Sequence, residues 1–186
     1  MRLFDFLMVL DSIIIGLGLS EVLTGLGQLL RSRGAVRVHA VHAAVVALIL
    51  VILVQHWWDS WGLRVIAQWN FAGLLLFVTG PVLLFLLAYL AFPQSVADWD
   101  LEEYYYKHSS LLWGLGALYL VTTLVFRPLV LDARFLSLQS LLRGAAVVLC
   151  VALAFTRRKS FHILGVSVAG LFLALYVLSF TFWQSE

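Results

Sequence analysis

Six stretches of roughly 20 mostly apolar residues, separated by short polar turns, leave this chain little choice of surroundings. About 20 helical residues cross a hydrocarbon core some 30 Å thick, and the stretches fall near residues 5–30, 38–57, 66–91, 109–131, 137–156 and 160–183. In hydrocarbon each backbone N–H and C=O has to be bonded inside its own segment, which leaves helices as the spanning elements. The expected fold class is therefore all-α: a polytopic membrane protein, a bundle of six transmembrane helices forming one domain over residues 1–186. The composition agrees, with 63% hydrophobic and only 12% charged residues, about half the charge of an ordinary soluble domain.

The turns carry the remaining charge. Arg31, Arg33 and Arg37 follow the first span, Lys107 lies in the long acidic connection before the fourth, and Arg157, Arg158 and Lys159 separate the last two. These seven fall on one side of the bundle, against Arg2, Arg64, Arg127 and Arg134 on the other. The positive-inside rule puts the richer side in the cytoplasm and both termini outside, an arrangement expected for a bacterial cytoplasmic membrane. Trp57, Trp58, Trp61 and Trp69 cluster at the opposite boundary as an aromatic belt. In the connection from Pro93 to His108, Ser95 and Asp98 are placed to cap a short interfacial helix ahead of the fourth span. The net charge of +2 gives no reason to expect nucleic acid, and the single Cys150 excludes an internal disulfide. The first span has acids within its apolar run and no small-residue cleavage site, so it reads as a retained helix.

That first span also holds the densest polar pattern. Asp11, Ile14, Gly18, Glu21, Gly25, Gln28 and Ser32 recur at helical spacing, so they share an arc that should be hidden from lipid. Gly18 and Gly25 let a second helix approach, as Gly165 does in the sixth span. On this pattern helix one is expected at the centre of the bundle. Asp11 and Arg143 lie at similar depths, about 9 Å from the same boundary, and are expected to pair. Glu21 near mid-depth, with His42 and His39 on the next helix, supplies the ingredients of a proton relay. Ser12…Thr24 and Ser110…Thr122, together with the runs Ala43–Val46 and Ala145–Val148, align weakly in order, the layout of a 3+3 inverted repeat.

The functional expectation is a small transporter or channel for an ion or solute, with proton linkage as one form of it, using Glu21, His42, His39, Asp11 and Arg143. Two other roles remain open. One is an accessory or scaffold subunit holding a partner helix, a lipid or a second copy. The other is a haem- or quinone-binding protein, with haem held by His39 or His42 together with His162. No other cofactor is expected, and no metal or catalytic residue is assigned. The segment Phe161–Gly165 with Gly170 resembles the histidine helix of rhomboid intramembrane proteases over about ten residues. The fourth span reads Trp113-Gly114-Leu115-Gly116-Ala117, with no serine for the nucleophile, so no catalytic pair carries over and no family is assigned.

Overall fold

The computed structural model describes residues 3–32, 36–66, 68–93, 100–131 and 137–181. Six helices are long and apolar enough to cross a membrane: α1 (Leu3–Arg31), α2 (Ala40–Ser60), α3 (Phe71–Tyr89), α4 (Leu101–Leu131), α5 (Leu138–Phe155) and α6 (Lys159–Tyr176). A 3-10 turn, Trp61–Val65, extends α2, and a π-helical turn, Val177–Thr181, extends α6. Among the described residues there is no β-strand, only an isolated bridge between Arg37 and Asp100. Apolar residues dominate the outward faces, as contact with a lipid bilayer demands.

The spans fall where hydropathy places them, with α3 starting at Phe71 and not near residue 66, and with a larger departure at α4. This helix starts at Leu101, and the acidic segment expected to form a separate interfacial helix runs continuously into the membrane span. Asp100 sets the start, its Oδ1 accepting from the backbone N–H groups of Glu102 and Glu103, each at 3.1 Å. The proposed cap at Ser95 lies outside the described residues. Asn70 and Ser137 cap α3 and α5 in the same way, accepting from Gly73 and Ser140.

The helices close a ring in the order α1, α3, α4, α5, α6, α2, and α2 also touches α3 and α4. This corrects the expectation of a central helix one: α1 lies along α2 and α3, and α2 is the helix most shared by the others. The face α1 hides is Phe4, Leu7, Met8, Asp11, Ile15, Gly18, Val22 and Gly25, a seven-residue repeat. Asp11, Gly18 and Gly25 fall within the hidden stripe as expected. Glu21 sits roughly 90° around from its centre and is half-buried, because Val22 takes the inward place one residue later. The 3+3 inverted repeat is not confirmed: α1 runs along α3, while α4 and α6 share no comparable seam.

The two glycines of α1 explain the close packing. Gly18 faces Leu53 of α2 and Phe85 and Ala88 of α3, and Gly25 lies directly against the Phe92 ring. Gly165 of α6 makes the same kind of approach to Leu153 of α5. A second apolar cluster of Leu7, Phe77 and Phe126, covered by Trp69, fills the end of the bundle where α1 begins.

Candidate functional site

The last two turns of α2 bring Gln55, His56, Asp59 and Ser60 to the end of the bundle that holds the tryptophans. The His56 ring sits where α3 presents Gly80; a Cβ there would lie 3.0 Å from His56 Cε1. On one side, His56 Nε2 is 3.4 Å from Oδ1 of Asp11 on α1. On the other, Nδ1 meets the hydroxyl of Tyr119 on α4 at 3.2 Å, with the rings edge to face. Asp11 is completely buried, and among the described residues neither carboxylate oxygen nor His56 Nε2 makes a hydrogen bond. The anticipated Asp11–Arg143 pair does not form: Asp11 faces His56, and Arg143 is engaged elsewhere.

Arg143 of α5 joins a second polar group centred on Tyr176, the last residue of α6. The Tyr176 hydroxyl accepts from the Arg143 guanidinium and from the Gln139 amide at 3.1 Å, and donates to Asp59 Oδ2 at 2.9 Å. The guanidinium also stands over the Tyr176 ring, 5.2 Å from its centre. One phenol oxygen thus joins a cation on α5 to an anion on α2.

Both groups border a partly open cavity of about 250 Å³ lined by α2 to α6. His56, Asp59, Tyr119, Arg143 and Tyr176 form its polar end, while Ile49, Leu112, Trp113, Leu149 and Phe172 are among its apolar walls. An apolar chamber with a few converging polar groups is the usual form of a small-molecule site. His56 belongs to both systems, reaching Asp11 behind the wall and the cavity in front of it.

The other residues singled out from the sequence lie at the opposite end. His42 is buried and donates through Nε2 to the Ala91 carbonyl at 2.7 Å, with its ring against Phe92. Glu21 makes no ion pair or hydrogen bond among the described residues, so no bond joins it to His42, whose Nε2 is taken by Ala91. His39 faces Glu102 at 3.8 Å, and Glu102 is also bound by Lys159. His162 is buried: Nε2 donates to the Thr156 carbonyl at 2.7 Å and Nδ1 accepts from the Tyr105 hydroxyl at 2.7 Å. Tyr105 in turn accepts from the Trp113 indole at 2.9 Å. Haem ligation through Nε2 of His42 or His162 would therefore have to displace a backbone bond. No group of three or more metal-ligating side chains occurs among the described residues.

Sequence reading passed over His56, Asp59, Tyr119 and Tyr176 as site residues. A usable signal was present, since His56 and Asp59 are three apart, one helical face, close to the depth assigned to Asp11 and Arg143. Compared with models of protein families, with curated proteins and with solved structures, the chain matches none.

Proposed function

We propose that the protein is a small proton-linked carrier whose solute occupies the bundle cavity and whose proton is handled by Asp11 and His56. The observation that carries this reading is Asp11: fully buried, without a hydrogen bond, 3.4 Å from an imidazole that also borders the cavity. A carboxylate in hydrocarbon is costly unless it is protonated or faces a cation, and His56 can supply either a proton or a charge. Tyr119 holds the other imidazole nitrogen, so the ring is oriented for exchange between Asp11 and the chamber. His56, Asp59, Tyr119, Arg143 and Tyr176 border the same space, so a change of charge on the imidazole would be felt by the charged groups around it. That coupling is what a proton-linked carrier requires. The proposed setting is a bacterial cytoplasmic membrane with both termini outside.

The test is reconstitution into vesicles holding a trapped pH dye, with a membrane potential imposed and a panel of small solutes added outside. Solute-dependent proton movement should be lost in Asp11→Asn and His56→Gln. Glu21→Gln, half-exposed and away from the cavity, should retain it. Full proton movement in Asp11→Asn would overturn the reading and leave the pair a structural contact.

A second reading, an accessory subunit or homo-oligomer, draws support from α5 and α6. Only 11% and 17% of the residues in their membrane-spanning stretches are buried, against 33–44% in the first four spans. Extraction from native membranes in a mild detergent would favour it by yielding a stoichiometric partner or a defined oligomer.

A further inference from the structure

The polar end of the cavity holds a cation whose hydrogen-bonding capacity is largely unused, and that bears on which solute fits. The guanidinium of Arg143 has five N–H donors, and among the described residues its hydrogen bonding goes to the Tyr176 oxygen alone. The Gln139 amide points at the same oxygen, which has no further lone pair to give. Asp59 is the anion bordering the same cavity, and its Oδ2 takes the Tyr176 proton. Thr122 and Thr123 direct their hydroxyl protons to carbonyls of their own helix, Leu118 and Leu120, and Ser60 directs its own to the His56 carbonyl, while Arg143 is the permanent cation among the residues bordering the chamber. His56, Tyr119, Gln55 and Ser60 also border the chamber, and the remaining wall is apolar and aromatic, with Phe172 and Leu173 of α6 next to the turn that places Tyr176.

We propose that this pole binds the carboxylate of a small organic anion, with Arg143 as its cationic partner and the apolar chamber holding the hydrocarbon body. The inference rests on the cavity being the solute site, as the carrier reading has it, and it names the solute class. Guanidinium and carboxylate match in a two-point, charge-assisted geometry that a neutral or cationic head group cannot reproduce. Tyr176 acts as a positioning residue: its hydroxyl and ring hold the guanidinium at the chamber end. At about 250 Å³ the cavity falls just below the roughly 300–1,000 Å³ of pockets that hold drug-sized ligands, the scale of a single ring with a short head group.

Benzoate, benzylammonium and benzyl alcohol share one ring and differ in the head, and equilibrium dialysis of each against the intact protein in an amphipathic polymer measures the preference. Benzoate should bind at least about tenfold more tightly than either analogue. Arg143→Gln should remove that advantage while leaving benzyl alcohol within about twofold, and Arg143→Lys should restore part of it. Tyr176→Phe keeps the ring and the arginine, so it serves as the second variant if Arg143→Gln fails to fold, and it should reduce benzoate affinity selectively. Equal binding of the three compounds, or a benzoate preference that survives in Arg143→Gln, would overturn the assignment. Because dialysis needs no transport, benzoate binding without proton movement in vesicles would fault the carrier reading alone. Proton-linked flux without a preference for benzoate would fault this inference alone.

Discussion

At the scale of single residues, the chain places its tightest constraints where side chains are smallest. A methyl group on Gly25 would enter the space of the Phe92 ring, and Phe92 is itself held edge-on against buried His42. The ring cannot yield without disturbing the end of α3, so Gly25→Ala should destabilise the protein by about 1–3 kcal/mol, the usual cost of overpacking. Gly16, on the same helix, has nothing within 4 Å of where a Cβ would stand and provides the comparison. Thermal unfolding in detergent should show a clear loss for Gly25→Ala and none for Gly16→Ala. Equal behaviour of the two would mean that α1 does not dock on α3 as described. The importance of Gly18 and Gly25 was legible in the sequence because small residues at helical spacing in an apolar run have few other uses. The inward place of Val22 in preference to Glu21 was not. A stripe read at three- and four-residue steps drifts around the helix, and only packing against α2 and α3 selects the seven-residue repeat that is buried.

At the scale of elements, His42, expected in a proton relay, and His162, expected as a haem ligand, complete helix ends. Ala91 and Phe92, just past α3, are buried, so the carbonyls of this turn need donors from neighbouring helices. His42 of α2 supplies one to Ala91, and the Tyr104 hydroxyl of α4 lies 3.1 Å from both Leu90 and Phe92 oxygens. His162 does the same for Thr156, the residue past α5. His42→Ala should leave the Ala91 carbonyl unpaired and cost about 1–2 kcal/mol. Hydrogen exchange should report faster opening at the end of α3 in this variant, with the turns near His56 unchanged. Uniform loosening of the whole bundle would speak against a local capping role. The sequence showed a buried histidine, but its partner depends on which helix ends at the same depth. Connection lengths alone do not fix that: α4 begins as a continuous helix at Leu101, eight residues earlier than its apolar run implied.

At the scale of the whole molecule, the six helices were legible because hydrophobic length is counted directly along the chain, and the cavity was not because it belongs to no single helix. It exists where α2, α3, α4, α5 and α6 close around a space that their side chains leave unfilled. Empty volume in a packed bundle costs stability, at about 24 cal/mol for each Å³ in well-studied cavities, so a chamber kept open without a use would be a standing penalty. Ala169 of α6 and Ala146 of α5 border it with the smallest side chains that a helix favours. Ala169→Leu should put three additional carbons into that space and raise the unfolding midpoint, by on the order of 1 kcal/mol or more in stability. If the chamber is the solute site, the same variant should lose benzoate binding and solute-linked proton movement although Asp11 behind the wall and His56 at its polar end are both still present. A stabilised Ala169→Leu protein that still binds and moves protons normally would show that the chamber is a packing defect and that the path lies elsewhere. A destabilised one would show that the leucine meets wall where the structure shows space. Stability gained together with function lost is the one outcome in which the fold holds this volume open for a ligand.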